Sequence, residues 1–236
     1  MKPFPEIPGV KLFLAGGFIR DHLLGLPSHD RDFVALTKLS FKELVDEVNK
    51  IGKVFQAKEE FLTIRCQINK EVLDIAMPRS ENNYTDGRHP EEVTRVATLE
   101  EDSSRRDFTI NAMYMGEKGE IIDYHGGQRD LTRKILRTVG SPSDRFKEDY
   151  LRIIRAIRFS IKYKLKITQE SQNYMRRYIK QLTNISFERI KDELNKCFLI
   201  DPILTFDAID CYRLWGVLEQ KGLWFKLTSE KRPKKI

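Results

Sequence analysis

The sequence predicts an α+β chain, with a mixed sheet and helices over residues 1–140 and an all-α part over residues 141–236. Three observations carry this reading. Up to about residue 126, short apolar or alternating runs take turns with helical spacings. From Ser141 onward the strand signals fade, and four amphipathic patterns follow one another. The length of 236 residues suffices for one large domain or two smaller ones with a real core.

The elements follow in order. "KLFLAG" reads as a short buried strand that ends at glycines, and "GFIRDHLLGL" as a helix stopped at Gly25. "RDFVAL" is a second strand. "SFKELVDEVNKIG" is a helix with Ser40 as N-cap, Glu43 three residues on, and Gly52 as its stop. "FLTIRCQI" and "EVLDIAM" alternate around "NK" and predict a hairpin. "PRSENNYTDGRHP", from Pro78 to Pro90, reads as a polar loop. "RRDFTINAMYM" has a helical look, and "GEIIDYHGG" a strand followed by a turn. The helical part comprises "DRFKEDYLRIIRAIRFSIKY", "TQESQNYMRRYIKQL", "SFERIKDELNKCFL" and "DPILTFDAIDCYRLWGVL". Phe108 and Ile110 are expected in the core, and Trp215 and Trp224 against the C-terminal helices.

Composition narrows the class. Hydrophobic residues make up 40% and charged residues 33%, as in a soluble globular protein, and no apolar run is long enough to span a membrane. Three cysteines, Cys66, Cys197 and Cys211, have neither zinc-like spacing nor a disulfide framework, so buried thiols in a reducing, cytoplasmic setting are expected. A net charge of +7 favours a polyanionic partner. The tail "EKRPKKI" reads as a solvated end. His22, His29, His89 and His125 lack ligand spacing and are expected in surface or structural roles.

The chemistry starts at "LAGGFIRDHLLGLPSHDRDFVAL". Gly16-Gly17 between a strand and a helix allow phosphate oxygens to approach backbone N–H groups at a helix start. Arg20, one turn on, adds a guanidinium fork. Asp30 and Asp32 are two apart in a strand and share a face. Two such carboxylates repel unless a cation lies between them, and magnesium is commonly held by one or two carboxylates plus substrate phosphates. Asp74, flanked by Leu73 and Ile75, also needs a partner. If the hairpin pairs beside "RDFVAL", Asp74 completes a cluster of three. Two metals there would activate a hydroxyl and steady a leaving pyrophosphate, which is the chemistry of nucleotidyl transfer.

These residues stand in a wider pattern. The chain resembles the bacterial and eukaryotic type of tRNA nucleotidyltransferase and its poly(A) polymerase relatives, within the polymerase β-like superfamily. "GGFIRDHLLGLPSHDRDFV" resembles the first motif of that family, "RRDFTINAM" the second, "IIDYHGGQRDL" the third, "RFKEDYLRIIRAIRF" the fourth and "ISFERIKDEL" the fifth, in family order from residue 11 to about 200. The resemblance implies a polymerase β-like catalytic head and a helical neck and body. It implies that Gly16, Gly17, Arg20, Arg155 and Arg158 hold triphosphate, and that Asp30 and Asp32 bind magnesium with Asp74 as third carboxylate. Arg106 and Asp107 would contact the ribose, and Asp149 and Arg152 would read the base. Three apart, Asp149 and Arg152 are expected on one helix face. A carboxylate accepts and a guanidinium donates. Cytosine and adenine each set an amino donor beside a ring acceptor, so this pair complements both, while uracil and guanine present the reverse.

The implied activity is addition of C and A from CTP and ATP to the 3′ end of tRNA. Long poly(A) or A addition to other RNA 3′ ends is the alternative, and a catalytically inactive RNA- or nucleotide-binding module or a metal-dependent hydrolase the reading of another class. The interval "RSENNYTDGRHPEEV" looks like an intact form of the loop that supports A addition in the family, and the basic signature of bacterial poly(A) polymerases after the fifth motif is not found. Relatives continue through body and tail domains that grip tRNA. A compact enzyme, a fragment, or a subunit needing a partner for RNA gripping are the three expectations for this length.

Overall fold

The computed structural model describes residues 3–28, 30–82 and 92–222. Its backbone forms two compact units that divide between Arg129 and Asp130, ahead of residue 140. The first is built on a seven-stranded sheet. β1 (Val10–Ala15) leads through α1 (Gly17–Leu23) to β2 (Asp32–Thr37), which returns antiparallel beside it. α2 (Phe41–Ile51) starts on the expected capping box, in which Ser40 and Glu43 satisfy each other's backbone N–H groups. It stops at Gly52, where a Cβ would stand 2.4 Å from the Gln67 carbonyl oxygen. β3 (Lys53–Lys58) follows on the sheet edge. The sequence reading passes over β3, because most of its residues are exposed and no apolar alternation marks it.

β4 (Thr63–Ile68) and β5 (Glu71–Ala76) form the expected hairpin. Asn69 and Lys70 both take positive φ, 50° and 65°, as a two-residue turn of the twist-matched type requires. β5 then lies parallel to β2, the only parallel ladder in the seven strands. β6 (Arg79–Asn82) and β7 (Glu92–Arg95) pair as a separate ribbon, so the expected loop from Pro78 is strand at its start. The rest of that interval, with His89, lies outside the described residues, as do His29, Trp224 and the basic tail.

The second correction concerns "RRDFTINAMYM". It is not a helix. The helix, α3 (Leu99–Ser104), precedes it, and the motif itself is an extended residue, a single 3-10 turn over Thr109–Asn111 and β8 (Met113–Met115). Residues 107–115 are buried throughout, so their apolar pattern has no exposed phase to fix a period. β9 (Ile121–Asp123) closes the sheet, and Asp123 accepts from the Gly127 and Gln128 N–H groups at the start of α4 (Gly127–Thr132). On one sheet face Phe13, Ala15, Val34 and Tyr114 pack with Leu99 of α3. Asp32 shares that face with Val34 at the strand's start, by the alternation of β2.

The second unit is helical, with one short parallel ladder of β10 (Ile135–Leu136) and β11 (Lys166–Ile167). The first long helical pattern proves to be two helices, α5 (Pro142–Glu148) and α6 (Arg152–Tyr163), broken at extended Asp149. α7 (Gln169–Tyr178) runs on as a 3-10 segment over Ile179–Asn184. α8 (Phe187–Ile200) packs on α6, whose Ile153, Ile154 and Ile157 are buried, each worth about 1.5–3 kcal/mol. The last expected helix is also two, α9 (Pro202–Cys211) and α10 (Trp215–Gln220), separated at Arg213 with φ of 56°. Trp215 stacks on Phe206 as expected. Among the described residues no helix is long and apolar enough to cross a membrane.

Candidate active site

The parallel register sets Asp32 of β2 directly beside Asp74 of β5. Both line a cleft of about 390 Å³ whose cationic lining includes Arg65, Arg79, Arg105 and Arg106. Arg65, across the β4–β5 ladder, stands 3.8 Å from Asp74. Partial desolvation in the cleft, then the carboxylates of Asp74 and Asp30, raise the Asp32 carboxyl above its usual range, and Arg106 and Arg65 offset only part of this. Asp30 is exposed just before the strand, close enough to act on Asp32 through its charge. No group of three His, Cys, Asp or Glu side chains among the described residues forms a ready cation cage. The acidic edge is therefore two adjacent carboxylates with a third nearby. Its donors are all hard oxygens under mutual repulsion, which fits magnesium completed by substrate phosphates. Cys66 lies behind Asp74; burial and that carboxylate push its thiol up to about 11, so it is no nucleophile.

The glycine turn is held from the second motif. Gly16 takes φ 68° and ψ −122°, its N–H donates to the Met113 carbonyl at 3.1 Å, and a Cβ there would stand 3.2 Å from Arg106 Nη1. Arg20 is buried. It donates to Asn111 Oδ1 at 2.6 Å and to Asp21 at 2.8 Å, and it folds back so that a Cβ on Gly17 would be 3.3 Å from its Nη2. Asn111 in turn donates to Asp107 Oδ1 at 3.0 Å, and the same oxygen accepts the Phe108 N–H. Asp107 thus shapes the turn that positions Asn111.

Asp102 is the centre of this arrangement, and the sequence reading did not single it out. It is fully buried. One carboxylate oxygen accepts from Arg105 and the Arg79 N–H, and the other from Arg106 at 3.1 Å and the Tyr114 hydroxyl at 2.7 Å. Burial would push its carboxyl up, but Arg105, Arg106 and the Tyr114 hydroxyl outweigh that and hold it down at about 2. The signal was there in the spacing: Asp102 stands three and four residues before Arg105 and Arg106.

In the helical unit the candidate base-reading pair departs from expectation. Asp149 is not in α6, so it shares no helix face with Arg152. Its carboxylate accepts the Leu151 N–H at 2.9 Å and Arg189 at 2.7 Å, and its carbonyl accepts the Arg152 N–H at 3.0 Å. The short polar side chain accepts the N–H of the residue two positions on, a local turn that competes with the helix and breaks the pattern. Arg152 donates to Glu148 at 2.5 Å and to the Arg145 carbonyl at 2.9 Å. Arg155 and Arg158 both lie over the Phe159 ring, and Arg158 also pairs with Glu193 at 2.7 Å. Arg189 and Glu193, one turn apart on α8, thus hold Asp149 and Arg158. His125 sits 2.8 Å from Ser103 Oγ, and His22 stacks on Phe18. Cys66 and Cys197 are buried, but Cys211 is exposed, against expectation.

The two adjacent carboxylates and the glycine turn braced by an Arg-Asp pair lie within a segment that matches a known family. The poly A polymerase head domain matches residues 12–137, more than half of the chain. The chain belongs to the poly A polymerase head domain family. A second match, described as a probable RNA and SrmB-binding site of polymerase A, covers residues 164–214. The CCA-adding enzyme of Staphylococcus epidermidis is 36% identical over 192 residues, 81% of this chain and 46% of that protein. The fold resembles the Bacillus stearothermophilus CCA-adding enzyme in complex with CTP, with a TM-score of 0.73, 30% identity, and coverage of 92% of this chain and 49% of that one. It also resembles the Thermotoga maritima CCA-adding enzyme complexed with tRNA, at a TM-score of 0.73 and 26% identity, over 89% and 48% of the two chains. The chain spans about half the length of the curated relatives it matches.

Proposed function

We propose that this protein is a template-independent RNA nucleotidyltransferase that adds C and A residues from CTP and ATP to the 3′ end of tRNA. The observation that carries the reading is the Asp32–Asp74 pair, set side by side by the parallel ladder at a cleft lined with arginines. Membership in the family and the likeness to CCA-adding enzymes solved with CTP and with tRNA support it.

In this reading the RNA 3′-oxygen forms a bond to the α-phosphorus of the triphosphate as the bond to the bridging oxygen breaks and pyrophosphate leaves. Asp30 and Asp32 would hold magnesium, with Asp74 as the third carboxylate of the acidic edge. Bound magnesium would neutralise phosphate charge and lower the pKa of the attacking hydroxyl. Gly16 and Gly17 keep the backbone open to phosphate oxygens, and Arg20, Arg155 and Arg158 supply guanidiniums. Arg106 and Asp107 belong to the ribose side by family resemblance; here both first serve to fix the glycine turn and the Asn111 turn. Asp149 accepts two hydrogen bonds from the protein, and a carboxylate has about four acceptor sites, so it retains capacity for a base amino group. Arg189 and Glu148 position the two readers. The head and neck roles of the two units, and a cytoplasmic setting, go with this reading.

The test is incubation with magnesium and tRNA transcripts ending at the discriminator base, at C or at CC, beside an unrelated RNA, with CTP, ATP or both. Products are read at single-nucleotide resolution. Completion to CCA on tRNA alone supports the proposal. Untemplated runs of A on any RNA would replace it by poly(A) addition, and no incorporation with RNA still bound would replace it by an inactive binding module.

A further inference from the structure

The two carboxylates assigned to magnesium flank a residue that this assignment leaves unused. Arg31 lies between Asp30 and Asp32, yet it is buried while Asp30 is exposed. Its contacts place it with Phe33, on the side of the sheet away from Asp32. There its Nη1 donates to Glu71 Oε2 at 3.1 Å, and its Nη2 to the Pro3 carbonyl at 3.2 Å. Its guanidinium stands 5.0 Å from the centre of the Phe33 ring and 5.7 Å from that of Phe4, and the two rings meet edge to face at 5.1 Å. Both rings are buried. The lead-in at Pro3 and Phe4, the start of β5 and the back of β2 thus close on one guanidinium.

The strand ladders stop short of Asp30. The first pairs of β2 are Asp32 with Asp74 and Phe33 with Leu14. Asp30 and Arg31 precede both, so strand pairing does not set where Asp30 stands. Glu71 opens β5, the strand that carries Asp74. The Arg31–Glu71 pair therefore ties together the starts of the two strands that bring the carboxylates side by side. Packing alone gives no reason for a charge here. An apolar side chain would fill the space against Phe4 and Phe33 without desolvating a guanidinium, and replacing a buried ion pair by apolar residues is often neutral or stabilising. What an apolar side chain lacks is direction. A guanidinium bonded through two nitrogens to two separate elements has one orientation, and it fixes the backbone that carries it. Magnesium demands near-ideal octahedral geometry, so a small displacement of one carboxylate weakens its site.

We propose that Arg31 is a positioning residue for the magnesium carboxylates: held by Glu71, the Pro3 carbonyl and the Phe4 and Phe33 rings, it sets Asp30 relative to Asp32 so that both can meet one ion. It touches neither the ion nor the nucleotide. The inference rests on the assignment of Asp30 and Asp32 to magnesium in the proposed function, and it adds the clamp behind them.

The test reads binding rather than turnover. CTP affinity of the full chain is measured by equilibrium dialysis without RNA, once in EDTA and once in saturating magnesium, and the ratio of the two is the magnesium gain. Wild type is compared with Arg31→Met, Arg31→Lys, Phe4→Ala and Asp32→Ala, each checked for folding by circular dichroism. Arg31→Met should keep its affinity in EDTA and lose about tenfold of the magnesium gain, the usual cost of removing a residue that orients a metal ligand. Arg31→Lys, which keeps the charge but not the fork, should fall between it and wild type. Phe4→Ala should lose gain in the same direction, although Phe4 touches neither carboxylate nor nucleotide. If Arg31→Met does not fold, Phe4→Ala and Arg31→Lys decide by the same ratio. A full magnesium gain in the folded Arg31 and Phe4 variants would overturn the proposal. So would an equal loss of CTP affinity in EDTA and in magnesium, which marks a merely structural role. The Asp32→Ala variant separates the two readings. If it loses the gain while Arg31→Met keeps it, only the clamp is removed. If it keeps the full gain, or wild type shows none, the magnesium assignment itself falls and the clamp with it.

Discussion

Asp102→Asn replaces one oxygen of a buried carboxylate by an amide of nearly the same shape. The native carboxylate faces donors on both sides, Arg105 and the Arg79 N–H on one oxygen, Arg106 and the Tyr114 hydroxyl on the other. An amide has one acceptor oxygen, so whichever way it turns, its NH2 meets donors. The carboxyl is held at about 2 against a usual 3.8, and that gap corresponds to about 2–3 kcal/mol of stability at neutral pH. The depressed value fixes the sign: this contribution is complete above about pH 4 and is lost as pH falls through about 2. Substitution also takes from Arg106 the carboxylate it pairs with, while Arg105 keeps Glu81. Breaking a buried pair in this way costs about 3–5 kcal/mol in all. Urea unfolding at pH 7, followed by far-UV circular dichroism, should show the sheet unit melting about 1.5–2.5 M earlier for a slope of about 2 kcal/mol/M. The gap between variant and wild type should narrow as the pH drops below 4. A variant that unfolds with the wild type at pH 7 would refute the claim that this charge holds Arg105 and Arg106 in place.

Three other outcomes follow. Gly16→Ala forces a Cβ onto φ 68° and against Arg106, which Asp102 and Tyr114 hold still; a loss of about 1–3 kcal/mol in stability and a larger loss of triphosphate affinity are expected, and wild-type values for both would discount the braced turn. Arg189→Ala releases Asp149 without touching the sheet unit, so selectivity for CTP over UTP should fall at least tenfold while the melting of the sheet unit is unchanged, and intact selectivity would make the pair merely structural. Because Asp32 is raised, its ionisation in the fold costs stability as pH rises through the folded value; Asp32→Asn should therefore melt higher than wild type at pH 7 without magnesium and gain less from added magnesium, and equal magnesium-induced shifts would remove Asp32 from the metal site.

What the sequence disclosed, and what it hid, follows from how each segment is exposed. Ser40 and Glu43 announce α2 because a capping box is local, and "NK" announces the hairpin because its turn needs only two residues. The ladder that matters most, β2 beside β5, could be stated only as a condition, since pairing at that separation has no local signature. β3 was hidden by its exposure, and the second motif by the opposite, burial on every side. The break between α5 and α6 was hidden because "EDYLR" suits a helix interior by spacing alone. The bond from Arg189, forty residues away, and the local bond from the Leu151 N–H hold Asp149 in the break. The residues named as candidates came mostly from family resemblance. Their holders, Asp102, Asn111, Glu148, Arg189 and Glu193, came from the structure.

Those holders change how the motifs are to be understood. Arg20 of the first motif is oriented by Asn111 of the second, and Gly16 is confined by Arg106 and Met113. Asp149 and Arg158 of the fourth are oriented by Arg189 and Glu193 of the fifth. In each unit, then, a later motif fixes the geometry of the motif to which the proposed function assigns the substrate contact. A change in a holder should look, in kinetics, like a change in the residue it holds: Asn111→Ala as a phosphate-binding defect, Arg189→Ala as a base-selection defect. Double substitution with the held residue should add little, because one interaction cannot be lost twice. Combining Arg189→Ala with Asp149→Ala is the sharpest case. If the two effects on CTP over UTP multiply, Arg189 contacts the nucleotide itself and is no holder. If the double variant matches Asp149→Ala alone, the fifth motif acts through the fourth.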